Sequence, residues 1–146
     1  MIRRTEILLI DDDPEDIMLF TNLIEEFDSH INLKIAQNYV DAVDLLFQKH
    51  FDEIQSKPHI ILLELTISNH KGIQLLKSIK EHSEYRKIPV LVVTKSNNSH
   101  DIWNSYDYNV NAYIQKPKSK ERYLSLISIM LKFWMEMVSI PDYTWS

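Results

Sequence analysis

Short apolar runs, each ending in polar residues, alternate along this chain with segments of helical periodicity. The runs Ile60–Leu63 and Val90–Val93 are apolar at every position, which is typical of strands that helices cover on both faces. The predicted strands are Glu6–Ile10, Ile31–Ala36, His59–Leu65, Val90–Thr94 and Ala112–Gln115. The connections are long enough for helical crossovers between parallel strands. The alternation therefore predicts a doubly wound α/β domain with a parallel sheet.

Five helices are predicted in the intervals between and after these strands. Asp13 is a plausible N-cap of the first helix, with Pro14 at the first helical position. Asn38 and Ser99 are predicted to cap the second and fourth helices, and Gly72 introduces the third. The last helix is predicted over about 119–138, followed by an irregular tail over 139–146.

Composition limits the class of protein. A chain of 146 residues with 45% hydrophobic content is expected to form one domain, 1–146, with a sizeable core. The net charge of -5 argues against a general nucleic-acid binder. No stretch approaches the ~20 apolar residues of a membrane span, no signal peptide is evident, and the chain has no cysteine. We therefore expect a cytoplasmic protein with no membrane or nucleic-acid partner.

Polar side chains follow the strands at what is predicted to be one edge of the sheet. Asp11 and Asp12 follow the first strand, Glu64 ends the apolar run of the third, Thr94 ends the fourth, and Lys116 follows the fifth. In doubly wound sheets ligands bind beyond the carboxyl ends of the strands. Carboxylates, a hydroxyl and a lysine at this edge indicate a site for a divalent cation and a phosphoryl group.

Three segments together resemble the receiver domain of two-component response regulators: 7–14 (ILLIDDDP), 89–94 (PVLVVT) and 112–117 (AYIQKP). The resemblance covers nearly the whole chain in the right order. It implies a flavodoxin-like (βα)5 fold with strand order 2-1-3-4-5. The ending 133–141 (FWMEMVSIP) further resembles stand-alone receivers associated with bacterial phytochrome kinases.

The resemblance implies roles for residues at the metal site. Asp11 and Asp12 correspond to the acidic pair that binds Mg²⁺, with Asp12 as the direct ligand. Glu64 stands at the third metal ligand, and Thr66 would lend its backbone carbonyl. Any binding of Mg²⁺ is expected to be weak, because the loss of the usual acceptor aspartate removes the need for it.

The resemblance also implies roles in phosphoryl binding and switching. Thr94 would hydrogen-bond the phosphoryl group, and Lys116 would pair with its charge. Tyr113 corresponds to the aromatic residue that swings inward on activation. The peptide bond between Lys116 and Pro117 is expected to be cis.

Glu64 departs from the family pattern, in which an aspartate accepts the phosphoryl group. Glutamate is longer by one methylene, roughly 1.5 Å of bond length, and catalytic geometry tolerates errors of ~1 Å poorly. The loop that follows, 65–71, has drifted from the pattern as well. The sequence therefore predicts a degenerate receiver, not an enzyme, which acts through contacts with a sensor histidine kinase or another signalling protein.

Several alternatives are compatible with the sequence. Glu64 could form a permanent salt bridge with Lys116 and imitate part of a phosphoaspartate, or the domain could be a fixed docking module. A phosphorylation-competent, Mg²⁺-dependent receiver is the competing function. A flavodoxin-like metal- or nucleotide-binding module is a third possibility, although no Gly-rich phosphate loop is present.

The last helix carries more apolar residues than one buried face needs. Exposed aromatic residues and methionines are typical of interfaces. We therefore predict a homodimer through this helix, with Tyr123, Phe133, Trp134 and Met137 in the interface.

Overall fold

A computed structural model describes residues 4–27, 30–48 and 57–141 of the chain. Its sheet consists of five parallel strands in the order β2-β1-β3-β4-β5. The strands are β1 (Thr5–Ile10), β2 (Ile31–Ala36), β3 (Ile60–Leu63), β4 (Val90–Thr94) and β5 (Ala112–Gln115). This confirms the predicted fold class and strand order. β3 is shorter than predicted, so Glu64 lies just beyond the strand.

The helices are α1 (Pro14–Phe27), α2 (Tyr39–Val43), α3 (Gly72–Glu81), α4 (Ser99–Asp107) and α5 (Lys120–Lys132). A π-helical turn over Asp44–Gln48 continues α2, and another over Phe133–Met137 continues α5. A single turn, Ile67–His70, precedes α3, and a 3-10 turn, Tyr85–Lys87, follows it. The last helix thus reaches Met137, close to the predicted end. Of the tail over 139–146, residues 142–146 lie outside the described part of the chain.

Cap residues define the starts of several helices. The Asp13 carboxylate accepts hydrogen bonds from the backbone N–H groups of Glu15 and Asp16, which confirms it as the N-cap of α1. Asn38 caps α2 as predicted. The prediction for Ser99 is wrong, because Asn98 caps α4 by accepting from His100 N–H and Ser99 is the first helical residue.

The core lies on both faces of the sheet, because side chains along each strand point alternately to the two sides. Leu8, Ile10, Ile61 and Leu63 pack on one face with residues of α2 and α3. Ile7, Leu9, Ile60 and Leu62 pack on the other face with residues of α1 and α5. Strands buried on both faces explain the continuous apolar runs in the sequence. Among the described residues, no helix is long and apolar enough to cross a membrane.

Candidate functional site

The carboxyl edge of the sheet brings together most of the predicted site residues. Asp11, Glu64, Thr94 and Lys116 are all buried there. Asp12 lies beside them but is exposed. This edge is where parallel strands direct their terminal residues towards one another.

Lys116 forms the central ion pairs of the site. Its ammonium lies 2.7 Å from Asp11 Oδ2 and 2.8 Å from Asp16 Oδ2. Burial would lower the pKa of Lys116, but the charges of Asp11 and Glu64 and these hydrogen bonds raise it above its ordinary value. Lys116 is therefore a permanently charged cation at the centre of this edge.

Glu64 makes no hydrogen bond to Lys116. Its Oε1 accepts from the Thr66 hydroxyl at 2.8 Å and from Lys95 N–H at 3.4 Å. Its Oε2 is buried and has no hydrogen-bond partner among the residues that the structure describes. Burial raises the pKa of Glu64, and the charge of Lys116 and the hydroxyls of Thr66 and Thr94 only partly oppose this rise. The hypothesis of a permanent Glu64–Lys116 salt bridge is therefore wrong for this structure, because two other carboxylates hold the ammonium.

The Glu64 side chain is also closed off from solvent, with an exposed fraction of 2%. An open groove of about 420 Å³ beside the site is lined by Asp16, Lys95, Lys116 and Tyr123 among others, but not by Glu64. Glu64 instead lines a void of about 10 Å³, which is about the size that one water molecule needs. A phosphoryl group does not fit there without rearrangement.

The predicted metal ligands fit a divalent cation poorly. Asp11 uses Oδ2 for Lys116 and Oδ1 for the N–H of Asp13. The Thr66 carbonyl accepts from His70 N–H at 3.4 Å. Within the described ranges, no group of three or more His, Cys, Asp and Glu residues is arranged to hold a metal ion. The carboxylates suit Mg²⁺ chemically, but a cation would compete with Lys116 for Asp11.

The segment after Glu64 adopts an unusual backbone. Ser68, Asn69 and His70 have φ values of 45°, 62° and 67°, a region that residues with a Cβ rarely adopt. Tyr39 N–H donates to Ser68 Oγ at 2.8 Å and helps to fix this turn. Such strain persists only where surrounding contacts define it, and here it accompanies the loss of the family sequence over 65–71.

Tyr113 and Thr94 make hydrogen bonds to the loop after β4. The half-buried Tyr113 donates its hydroxyl to the Ser96 carbonyl at 2.8 Å, and the Thr94 hydroxyl accepts from Ser96 N–H at 3.2 Å. The aromatic side chain at the predicted switch position is thus attached to this loop. Its role in switching stays a prediction.

Two predictions at the end of β5 and in α5 need correction. The Lys116–Pro117 peptide bond is not cis, since no described residue has a cis peptide bond, and trans is the lower-energy form even before proline. Tyr123 is 4% exposed and lies in the core, so it does not belong to an exposed interface. Trp134 is half-buried and packs against the same core cluster.

Asp16 and Lys95 are two site residues that the sequence patterns did not indicate. Asp16 lies in the first turn of α1, where an acidic residue is already explained by the helix dipole. Lys95 directly follows Thr94, and its ammonium lies 2.6 Å from Asp13 Oδ2 across the edge of the sheet. Its position after β4 is the signal that could have identified it.

Comparisons with known proteins agree with this geometry. The sequence model of the response regulator receiver domain family matches residues 7–128 of this chain. The response regulator Rcp1 of Synechocystis sp. is 30% identical over 135 residues, which cover 92% of each chain. The probable methanogenesis regulatory protein FilR2 of Methanothrix harundinacea is 29% identical over 88% of this chain and 83% of its own length.

Two solved structures are similar over nearly their whole length. The Mn²⁺-bound form of Rcp1 has a TM-score of 0.87 and 29% identity, covering 94% of this chain and 99% of that one. The phosphorylated cyanobacterial phytochrome response regulator RcpA has a TM-score of 0.88 and 28% identity with the same coverage. The resemblance to phytochrome-associated receivers is therefore confirmed.

Proposed function

This chain belongs to the family of response regulator receiver domains, and we propose that it is a stand-alone receiver that is not phosphorylated at Glu64. It acts in two-component signalling through protein contacts and not as an enzyme. Its partner is a sensor histidine kinase or another signalling protein. The match to Rcp1, over 92% of the length of that response regulator, supports a role in two-component signalling.

The observation that carries this proposal is the state of the two Glu64 oxygens. Oε1 is hydrogen-bonded to Thr66 and Lys95, and Oε2 is buried. In-line phosphoryl transfer requires an oxygen that can reach the donor and a cation placed on the transferred group. Glu64 supplies no accessible oxygen, and Lys116 is held by Asp11 and Asp16. Both requirements are absent in this arrangement.

The ion pair between Lys116 and Asp11 also affects metal binding. Receivers bind divalent cations weakly, and Rcp1 was solved with Mn²⁺. In this chain Asp11 and Asp12 carry the carboxylates that would hold Mg²⁺. Lys116 already neutralises Asp11, so Mg²⁺ binding is weak and is not needed for the fold.

The second candidate is a phosphorylation-competent receiver. Thr94 and Lys116 retain the side chains that bind a phosphoryl group in the family, and the similar RcpA was solved in a phosphorylated form. This function would require Glu64 to leave its buried position and Lys116 to leave one of its carboxylates.

Intact mass after incubation with acetyl phosphate and Mg²⁺ distinguishes the two functions. We expect no gain for the wild type and a gain of one phosphoryl group for Glu64→Asp, since the shorter side chain restores the family geometry. Glu64→Gln is the matched control. A gain by the wild type that Glu64→Gln abolishes would establish the competent receiver instead.

A homodimer through the last helix is also proposed. Ile129, Phe133 and Met137 are spaced four residues apart, and their exposed fractions are 69%, 49% and 73%. They form one exposed apolar line along α5 and its π-helical continuation. Exposed apolar residues of this kind are typical of protein interfaces.

A further inference from the structure

One ammonium, that of Lys116, faces two buried carboxyl groups and one partly buried carboxyl group at the carboxyl edge of the sheet. Lys116 is 3% exposed at its side chain and hydrogen-bonds Asp11 and Asp16. The third carboxyl group, Glu64, also acts on Lys116 through its charge but makes no hydrogen bond to it. The Lys116 ammonium is therefore bound by Asp11 and Asp16 and not by Glu64.

The position of Asp16 is fixed by the start of α1. It lies in the first turn of α1, and its backbone N–H donates to the Asp13 cap at 3.3 Å. Its carboxylate is 16% exposed and reaches Lys116 from the helix side. Asp11 and Asp16 thus hold the ammonium between the end of β1 and the start of α1.

We propose that Asp16 is a positioning residue that keeps Lys116 paired on the α1 side and away from Glu64. Without the Asp16 carboxylate, Lys116 loses one of its two charged acceptors. Glu64 is then the buried carboxyl group at this edge that has an oxygen, Oε2, without a hydrogen-bond partner among the described residues. A buried cation is stable only when charged or polar groups surround it, so Lys116 turns to Glu64.

This inference rests on the proposed function, because it concerns an unphosphorylated Glu64, but the two can fail separately. A phosphoryl group on Glu64 in the mass experiment overturns the proposed function alone. The role of Asp16 is tested without phosphodonor and without metal, with EDTA present throughout.

The experiment is a double-mutant cycle of Glu64→Gln with Asp16→Ala, read as urea unfolding midpoints at pH 7. In the wild-type background Glu64→Gln should raise the midpoint, because it removes an unpaired buried charge. In the Asp16→Ala background it should lower the midpoint, because Glu64 is then the partner of Lys116. This reversal of sign is not expected if Asp16 only supports the start of α1.

Glu15→Ala is the matched control, since it removes from the same helical turn a carboxylate whose ion pair is with the exposed Lys120. Glu64→Gln should still raise the midpoint in that background. Asp16→Asn provides a second test if Asp16→Ala does not fold, and Glu64→Gln should raise its midpoint less than in the wild type. A crystal structure of the Asp16 variant should show Lys116 Nζ within hydrogen-bonding distance of Glu64. The same rise of the midpoint in every background would overturn the proposal.

Discussion

The ammonium of Lys116, after the end of β5, lies 2.7 Å from Oδ2 of Asp11, after the end of β1. These strands are not neighbours, since β3 and β4 lie between them. The ion pair therefore closes the carboxyl edge of the sheet across two intervening strands. The ion pair also affects Glu64, because the Lys116 ammonium that binds Asp11 does not hydrogen-bond Glu64.

Lys116→Met should strongly destabilise the domain. The substitution leaves Asp11 and Asp16 without their cation in a buried site, and breaking a buried pair by removing one partner costs about 3–5 kcal/mol. Urea unfolding at pH 7 measures the loss. Lys120→Met, which removes only an exposed ion pair with Glu15, should change the midpoint little. Equal effects of the two substitutions would contradict the central role of Lys116.

Gly72→Ala should destabilise the domain, although alanine is the better helix former by about 1 kcal/mol. An added Cβ at Gly72 would lie 2.3 Å from the Cα of Leu65, a backbone atom in the segment that follows β3. We expect a loss of about 1–3 kcal/mol, as for other overpacked sites. Thermal unfolding measures it, with Gln74→Ala on the exposed face of the same helix as control. A rise in the melting temperature of the Gly72 variant would show that the contact is not rigid.

The Glu64→Gln variant should become more stable than the wild type as the pH rises. Burial raises the pKa of Glu64 above its ordinary value of 4.5, so the folded state binds this proton more tightly than the unfolded state. The contribution of Glu64 to stability is then complete below pH 4.5 and is lost as the pH rises through the folded-state pKa.

Urea unfolding between pH 4 and pH 8 measures this difference. The two proteins should be similar near pH 4, and the variant should be more stable at pH 8 by about 1 kcal/mol or more, the cost of an unsatisfied buried group. Glu25→Gln, at an exposed position of α1, is the control. A constant difference across this range would mean that Glu64 is not the titrating group.

Substitution of the exposed apolar line should abolish the proposed dimer. Replacing both Phe133 and Met137 with glutamate places like charges on the exposed face of the last helix, and facing copies would repel each other. Light scattering at micromolar concentration should report a dimer for the wild type and a monomer for the double variant. Val40→Glu, at an exposed apolar residue of α2, should leave the dimer intact. A monomeric wild type would refute the interface.

The periodicity of the sequence predicted the fold, because the secondary structure that each segment favours is the one that the whole fold requires. Strands apolar at every position require a sheet covered on both faces, and the core clusters occupy both faces as predicted. The caps Asp13 and Asn38 were predictable from local hydrogen bonding alone. Tyr123 was assigned to the wrong surface, because its apolar helix has more than one plausible buried face.

The order of strands and polar residues along the chain is enough to predict that Asp11, Glu64, Thr94 and Lys116 share one edge of the sheet, because parallel strands bring their carboxyl ends together. Which carboxylates hold Lys116 depends on tertiary packing. Asp16 comes from a helix whose packing on the sheet sets its distance from the ammonium, and strand periodicity does not specify that distance. Because Coulomb attraction and hydrogen bonding between buried groups change steeply over about 1 Å, the choice between Asp16 and Glu64 depends on packing and not on the order of residues.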